Sequence, residues 1–535
     1  MFRARLLAAM AVGAPLAALL PAQPGKAPGP VFETSDRCFA CHNGLATPAG
    51  EDTSIGWDWS ATMMANSARD PYWQAGVRRE ILDHPMARAA IEAECSICHM
   101  PMARYEAVLA GRQGQVFTHT GFDPNNREDR LAADGVSCAL CHQIARDKLG
   151  TRESLVGRFV IALGAGGLRV AYGPYQVDAG HARIMSSSSG FQPTYSEHVR
   201  QSELCATCHT LITHSLDAEG KAIGEFPEQV PYQEWLHSAY RQSRSCQHCH
   251  MPAVSGTAPI TAVLAEAREG VSRHNFPGAN FFMQRLLNRF RNELAVRASP
   301  QQLERAALRT VEHLQAEAAR LAIENVRVHA GRLEAEIKVE NLGGHKLPTA
   351  YPSRRVWLHL LVRDANGRVV FESGALRADG SIEGNDNDAD PGRYEPHYTE
   401  IRSKEQVQIY ESVMGGPAGV PTTGLLSAVS YLKDNRLLPH GFDKRTADKE
   451  IAVRGAAAED EDFRGGEDRL RLSVATEAAR EPFQIQAELW YQPIAYRWAA
   501  NLAPYQAHEA QRFAGYFRAM GPASAAMLAQ ARVTH

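Results

Sequence analysis

The chain has 535 residues, of which 57 are basic and 60 acidic, so its formal net charge at pH 7 is -3. Hydrophobic residues make up 44% and charged residues 22%, which is typical of a folded globular protein of this length with more than one domain. The near balance of charge argues against a nucleic-acid partner, because nucleic-acid binding favours a basic face.

The first predicted element is a secretory signal peptide over residues 1–22. Arg3 and Arg5 precede an apolar run from Leu6 to Leu20, and small and proline residues follow the run. An uncleaved membrane anchor is the alternative, but the run is shorter than the roughly 20 residues that cross a bilayer. We therefore expect a soluble mature chain in the periplasm or exported to the outer surface.

Ten cysteines follow, and all of them fall into five Cys-x-x-Cys-His motifs. The motifs are Cys38, Cys41 and His42; Cys95, Cys98 and His99; Cys138, Cys141 and His142; Cys205, Cys208 and His209; and Cys246, Cys249 and His250. Two thiols at this spacing can both bond to the vinyl groups along one edge of a haem, and the following His then reaches the iron as its proximal ligand. The sequence thus predicts five covalently bound haem c groups, each with the His of its motif as proximal ligand.

Three other chemistries use paired cysteines. Disulfide frameworks occur in exported chains, but they do not require a His after every second Cys. Zinc sites usually draw four ligands from two short pairs, and thioredoxin-like motifs occur once per domain. Five complete motifs behind an export signal favour haem attachment over these alternatives.

The motifs lie within residues 31–279, a stretch with many Gly and Pro and little regular apolar periodicity. We predict a mainly helical and loop-rich multihaem cytochrome domain that packs around its haems, so that its folding depends on haem attachment. Residues 280–324 carry apolar side chains at helical spacing and are predicted to form a helical connector.

Residues 325–495 show the alternating and apolar runs that are typical of strands. The predicted strands lie in residues 326–339, 356–372, 406–413, 470–474 and 483–491, and Asn366-Gly367 is a hairpin signal. They suggest an immunoglobulin-like β-sandwich domain, which is followed by a C-terminal helical tail over residues 496–535. The expected fold class is α+β and multidomain.

The sixth ligand of each haem iron separates an electron carrier from a catalyst. A second His gives a closed, low-potential haem, a Met raises the potential, and an open position can bind substrate. The chain has 21 His, which is more than enough for both positions of every haem. The candidates near the motifs are His84, His119, His181, His198, His214, His237 and His274.

One haem is a candidate for a Met ligand. Met63 and Met64 follow a Trp-rich segment that is similar to the one containing His237. If the two segments have analogous roles, Met64 or Met63 replaces a His as the sixth ligand. The alternative is that both methionines pack on a porphyrin face as adaptable apolar side chains.

Several sequence segments resemble those of the bacterial multihaem cytochrome c family, especially of pentahaem proteins related to the tetrahaem cytochrome of nitrifying bacteria. They lie in residues 133–138, 202–209 and 228–235, in the repeated Cys-His-Met-Pro, and in residues 344–349 and 353–355. The resemblance implies electron transfer through closely stacked haems, mostly with two His ligands. Other redox proteins would be donor and acceptor, and docking to a membrane-bound respiratory complex is a further expectation.

The last of these segments adds three candidate residues. The resemblance suggests that the turn at residues 344–349 packs against the haem domain, which makes His345 a candidate distal ligand. Arg354 and Arg355 are candidates for pairing with haem propionates, because the rigid guanidinium fork suits carboxylates.

Two function classes remain open from the sequence. The first is an electron carrier with every haem six-coordinate, and the second is an oxidoreductase that acts on a small nitrogen or sulfur oxyanion at one open haem. Pentahaem nitrite reductases resemble the chain in haem count, but they typically carry Lys in place of the proximal His at the catalytic haem. No Cys-x-x-Cys-Lys occurs here, so the carrier is the favoured interpretation and no catalytic residue is predicted.

Overall fold

The computed structural model describes residues 30–164, 168–476 and 479–535. The predicted signal peptide over residues 1–22 lies outside the described residues. No helix within the described ranges has both the length and the apolar character that a membrane span requires.

The motif-bearing region consists of short helices joined by turns and three two-stranded ribbons. Its helices are α1 Asp36–His42, α2 Ile55–Ser60, α3 Pro71–Asp83, α4 Arg88–His99, α5 Pro101–Leu109, α6 Arg127–Ala133, α7 Cys138–Cys141, α8 Ala179–Ser189, α9 Ser202–Ala206, α10 Pro231–Leu236 and α11 Cys246–His250. Its strands are β1 Arg169–Gly173, β2 Phe191–Tyr195, β3 Leu211–Leu216, β4 Ala222–Gln229, β5 Thr257–Pro259 and β6 Ala267–Glu269. The ribbons pair β1 with β2, β3 with β4, and β5 with β6.

Each Cys-x-x-Cys-His motif adopts a helical turn. The first, second, third and fifth motifs fall in or directly beside α1, α4, α7 and α11, respectively. The fourth motif, Cys205 to His209, starts in α9. That motif continues as a turn, because the backbone N–H groups of Cys208 and His209 both donate to the carbonyl of Cys205. Residues three and four apart share one face of a helix, so both thiols and the imidazole of a motif lie on the same side.

Two longer helices connect this region to the sheets. They are α12 Phe281–Arg289 and α13 Pro300–Glu317. The start of α13 is fixed by a capping box in which Ser299 and Gln302 exchange side-chain and backbone hydrogen bonds, with Pro300 in the first turn. The predicted helical connector is too long at its end, because residues 319–324 already belong to a strand.

The remaining elements form two sheets. The strands are β7 Ala319–His329, β8 Arg332–Asn341, β9 Arg355–Arg363, β10 Val369–Ser373, β11 Glu400–Ile401, β12 Ile409–Gly415, β13 Pro421–Thr422, β14 Ser430–Asp434, β15 Glu467–Ala475, β16 Gln484–Gln492 and β17 Ala526–Thr534. The helices among them are α14 Asp386–Ala389, α15 Tyr496–Ala500 and α16 His508–Met520. One sheet has the order β13-β12-β9-β16-β17, with β10 and β14 added to β9 and β12, and the other has the order β11-β15-β8-β7.

The two sheets share one apolar core. In β8 the side chains of Leu333, Ala335, Ile337 and Val339 alternate with more exposed positions, as expected for a strand with one buried face. Side chains from β9, β15 and β16 belong to the same cluster, which also includes residues of α12 and α16. This supports a layered β region, while the immunoglobulin-like topology stays a prediction.

One strand prediction was imprecise and one hairpin prediction was correct. The stretch 326–339 is broken at Ala330-Gly331, where both residues have positive φ and β7 turns into β8. The hairpin predicted at Asn366-Gly367 is present between β9 and β10.

The helical tail over residues 496–535 was predicted correctly only in part. Helix α16 ends at Met520, and β17 then pairs antiparallel with β16 along the edge of the larger sheet. The edge of β16 offers unpaired backbone groups, and satisfying them outweighs the modest helical preference of an Ala-rich tail.

Candidate functional site

The cysteine thiols of different motifs contact one another. Cys38 of the first motif contacts Cys138 of the third. Cys98 of the second motif contacts Cys208 of the fourth. The fourth motif also reaches the fifth, through the contact of Cys205 with Cys246. The motifs therefore form two groups of directly contacting thiols.

The two groups lie side by side. Cys141 of the third motif is close enough to Cys208 of the fourth for the two thiols to interact electrostatically. The same holds for Cys141 and Cys205. All five motifs thus form one connected arrangement in which the fourth motif neighbours the second, third and fifth.

Four of the five motif histidines donate a hydrogen bond from Nδ1 to a backbone carbonyl. The acceptors are Ile260 for His42, Tyr172 for His142 and Pro277 for His250, each at 2.6 Å, and Ser67 for His99 at 3.0 Å. Such a bond fixes the tautomer and leaves the Nε2 lone pair free for a metal. The carbonyls come from distant parts of the chain, so the motif alone did not reveal them.

The motif histidines are also held neutral. Burial lowers the pKa of His99 and of His250 to about 4. Burial likewise lowers the pKa of His42, His142 and His209, and the Arg354 guanidinium adds to the effect at His209. A neutral imidazole is the form that binds iron, so the protonation state of the set fits metal ligation.

His274 faces His142 of the third motif. The two ring centroids are 6.4 Å apart, and the ring planes differ by 23°. Two metal–imidazole bonds of about 2 Å in line, plus half of each ring, span roughly 6 Å, so the pair fits one iron between the rings. The Nδ1 of His274 donates to the carbonyl of Ser272 at 3.2 Å, which again leaves Nε2 free.

His345 faces His250 of the fifth motif in the same way. Their ring centroids are 6.3 Å apart and their planes are within 9° of parallel. The Nδ1 of His345 donates to the carbonyl of Lys346 at 2.9 Å. A second imidazole, His313 on α13, lies 6.4 Å from His250 at an angle of 56°. Sequence reasoning missed His313, because nothing in its neighbourhood in the chain marks it.

A buried charge cluster holds the turn that carries His345. The ammonium of Lys346 lies 2.7 Å from a carboxylate oxygen of Asp434, and Arg436 lies 2.7 Å from the same carboxylate. Glu234 of α10 accepts the backbone N–H of Lys346 at 3.1 Å and also pairs with Arg436. Burial opposes ionisation of Asp434, but Arg436 and Lys346 lower its pKa to about 2. The cluster thus ties the motif-bearing region to the β region beside His345.

Among the other predicted distal ligands, His119 keeps a free nitrogen and His198 does not. The Nδ1 of His119 lies 2.8 Å from a carboxylate oxygen of Asp129, an arrangement common behind metal-bound imidazoles. The Nε2 of His198 bonds the Ile144 carbonyl at 2.8 Å, while its Nδ1 bonds Ser196 at 2.6 Å. Both nitrogens of His198 thus have hydrogen-bond partners in this structure, and its assignment as a distal ligand stays a prediction.

His84 and His181 resemble His198 in this respect. Both ring nitrogens of His84 have hydrogen-bond partners, and so do both nitrogens of His181. Their bonding fits a structural role for both residues.

The last three candidates lie apart from any second imidazole described above. His214 sits in β3 next to the charge of Glu94. The Nε2 of His237 lies 3.3 Å from a carboxylate oxygen of Asp448 in the β region. Met64 is half-buried, and its carbonyl accepts the N–H of Val136 at 2.9 Å, just before the third motif. Each stays a candidate ligand.

Of the two arginines proposed for haem propionates, Arg354 fits and Arg355 does not. Arg355 forms a buried bidentate ion pair with Asp388, at 2.8 and 2.9 Å, which occupies its guanidinium. Arg354 makes one side-chain bond, to the Thr349 carbonyl, and stands near His209 and Tyr491.

Buried donors without a partner support the fit to haem. Within the described residues, the hydroxyl of Tyr491 and the Nε of Arg104 are buried and have no hydrogen-bond partner. Tyr491 lies near Arg354, and Arg104 lies near Cys98. Buried polar groups are rarely left unpaired, and haem carries two carboxylates that accept such bonds. The donor set and the ligand geometry therefore both fit haem.

A second cluster of metal-ligand residue types does not fit a metal. His397, Asp460 and Asp468 converge in the β region. The Nδ1 of His397 accepts the amide N–H groups of Gln408 and Asn435, whose own oxygens accept backbone N–H groups. The Nε2 must therefore carry the proton, and it donates to Asp460 at 3.0 Å. The cluster is a hydrogen-bond network.

Comparison with known proteins yields a similarity in fold. No protein-family model matches the sequence, and no curated protein matches it. The crystal structure of a penta-heme cytochrome c552 from Thermochromatium tepidum is similar, with a TM-score of 0.53 and 15% sequence identity. The likeness covers 94% of this chain and 99% of that one. At this identity it shows that the two chains share a fold.

Proposed function

We propose that the protein is an exported pentahaem c-type cytochrome that transfers electrons between redox partners. The observation that carries this proposal is the connected arrangement of all five motifs through Cys38–Cys138, Cys98–Cys208 and Cys205–Cys246, with Cys141 bridging to the fourth motif. Because each thiol pair binds one edge of a haem, adjacent thiols bring neighbouring haem edges together. When bound, each haem supplies an iron that accepts and releases one electron.

The described residues support a closed ligand set for two haems. The third haem would take His142 and His274, and the fifth would take His250 and His345. Two parallel or nearly parallel imidazoles at this separation would hold a six-coordinate iron, which exchanges electrons without binding substrate. For the other three haems, the remaining candidates are His119, His214, His237 and Met64.

The cellular setting is part of the proposal. The sequence pattern of residues 1–22 supports export to the periplasm or the outer surface. The shared fold with a penta-heme cytochrome supports five haems of the same general arrangement here. Other redox proteins would then supply and remove the electrons.

Spectroscopy of the exported, haem-loaded protein tests the proposal. We expect five haems per chain, low-spin signals for all of them, and no spectral change with cyanide or carbon monoxide. Fewer than five haems would contradict the pentahaem assignment. A high-spin haem that binds these ligands would instead favour the oxidoreductase acting on a small nitrogen or sulfur oxyanion.

A further inference from the structure

We propose that electrons enter and leave at the fifth haem, through the surface around Cys249, and that this surface fits a redox partner with an acidic docking face. The inference rests on the proposed function, because it needs a haem at each motif. It adds the place of exchange and the charge of the partner.

Cys249 is the one exposed thiol among the ten cysteines. The other nine are half-buried. The exposure extends along the chain on both sides, because residues 241–244 and His248 are exposed as well. A thioether bond at Cys249 would therefore place one edge of the fifth haem nearest to solvent, and short distances favour transfer to a partner that docks there.

The fifth motif also stands at an end of the arrangement of thiols. Its described thiol contact is the one between Cys246 and Cys205 of the fourth motif. On the inner side, His250 bonds the Pro277 carbonyl and faces His345 of the β region. One side of this haem site thus meets the rest of the protein, and the Cys249 side meets solvent.

The exposed charged residues that closely precede Cys249 in the chain are two arginines, Arg241 and Arg244. Within the described residues, Arg241 and Arg244 form no ion pair, and Arg244 packs over the Tyr240 ring at 5.0 Å. The opposing carboxylates are Glu317 of α13, which acts on Cys249 together with Arg244, and Glu203, which is half-buried near Cys246. Unpaired arginines beside an exposed redox centre attract an anionic partner and steer its approach.

Two small redox reagents of opposite charge test the inference on the haem-loaded protein. The reduced protein is mixed with anionic ferricyanide or cationic hexaammineruthenium(III), and the oxidation rate is followed at low and high ionic strength. The test variant is R241E/R244E. The control is R532E, which reverses an exposed charge on β17, away from the motifs. Unchanged haem spectra and melting temperatures confirm that both variants are folded.

We expect R241E/R244E to slow oxidation by ferricyanide about tenfold at low salt and to speed oxidation by hexaammineruthenium, with both effects lost at high salt. R532E should leave both rates unchanged. Equal rates for wild type and R241E/R244E, or the same change in R532E, would overturn the inference. A wild-type protein that neither reagent oxidises would overturn the proposed function itself, so the two failures are distinguishable.

Discussion

The imidazole rings of His250 and His345 lie 6.3 Å apart and within 9° of parallel, although one belongs to the last motif and the other to the turn before β9. In the proposed cytochrome, the β region would thus supply a ligand to a haem that the other region attaches. Docking of the two regions would then complete the coordination of the fifth iron.

The first prediction separates His345 from His313. Replacing His345 with Ala should convert the fifth haem from low-spin to high-spin, because the aligned imidazole is lost. Replacing His313 with Ala should leave all haems low-spin, because among the described residues no hydrogen bond orients its ring, whereas His345 Nδ1 donates to the Lys346 carbonyl. Electron paramagnetic resonance of the oxidised protein measures both. The reverse result would make His313 the axial ligand.

The second prediction concerns the charge cluster behind His345. Asp434→Asn removes the carboxylate shared by Lys346 and Arg436 and should lower the free energy of unfolding by about 3–5 kcal/mol near neutral pH. The matched control Asp36→Asn breaks an exposed ion pair with Arg297 and should cost at most about 1 kcal/mol. Denaturant unfolding of the haem-loaded variants gives both values.

The same cluster predicts a pH dependence. The pKa of Asp434 is lowered from 3.8 to about 2, so its stabilising contribution is complete above pH 3.8 and is lost as pH falls through 2. The difference in unfolding free energy between wild type and Asp434→Asn should shrink over that interval. A difference that stays constant from pH 5 down to pH 2 would show that the carboxylate is not held ionised by its partners.

The third prediction concerns the unpaired hydroxyl of Tyr491. Tyr491→Phe should leave the unfolding free energy nearly unchanged, because no described protein group bonds this hydroxyl. If the hydroxyl donates to a haem propionate, its loss leaves the negative charge of that propionate less compensated and should lower one haem potential by about 40 mV, equivalent to about 1 kcal/mol.

Tyr410→Phe is the matched control for that experiment. The Tyr410 hydroxyl donates to Asp468 at 2.6 Å in the β region, so its removal should cost about 1–3 kcal/mol of stability. Tyr410→Phe should leave every haem reduction potential unchanged. A redox titration together with thermal unfolding distinguishes the two tyrosines, and equal behaviour of both would contradict the propionate assignment.

The contrast between the motifs and their partners explains what the sequence could predict. A Cys-x-x-Cys-His motif is local, so the chemistry at His142 is visible in five consecutive letters. Its hydrogen-bond acceptor Tyr172 and its facing imidazole His274 are set by tertiary packing. The hydrogen bonds of His198 to Ser196 and to the Ile144 carbonyl are likewise set by the fold and could not be predicted from its closeness to a motif in the chain.

The strands of the two sheets likewise divide into those that the local sequence predicts and those that depend on tertiary pairing. Alternation along β8 and β16 predicted strands because one face of each is buried. The segment 526–534 lacked a clear signal of its own, and its strand conformation depends on pairing with β16. Residues 319–324 were assigned to a helix for a similar reason, since their pairing with β8 decides their structure.

The last prediction tests the order of the haems. In the proposed arrangement, the contact of Cys38 with Cys138 would place the first haem beside the third, and the proximity of Cys141 to Cys208 would place the third beside the fourth. The contact of Cys205 with Cys246 would then place the fourth haem beside the fifth. His274→Met should raise the potential of the third haem. If the rise is about 120 mV, transfer from that haem to the fourth should slow about a hundredfold, at about 59 mV for each tenfold change.

Oxidation of the fully reduced His274→Met protein should then become biphasic, with about two of the five electrons, those of the first and third haems, in the slow phase. His345→Met places the same change at the proposed exit and should slow all five electrons instead. Stopped-flow absorbance with ferricyanide resolves the amplitudes of the two phases. A slow phase of only one electron in each variant would mean that each haem exchanges electrons with solvent directly, because a connected chain must hold back whatever lies behind the altered haem.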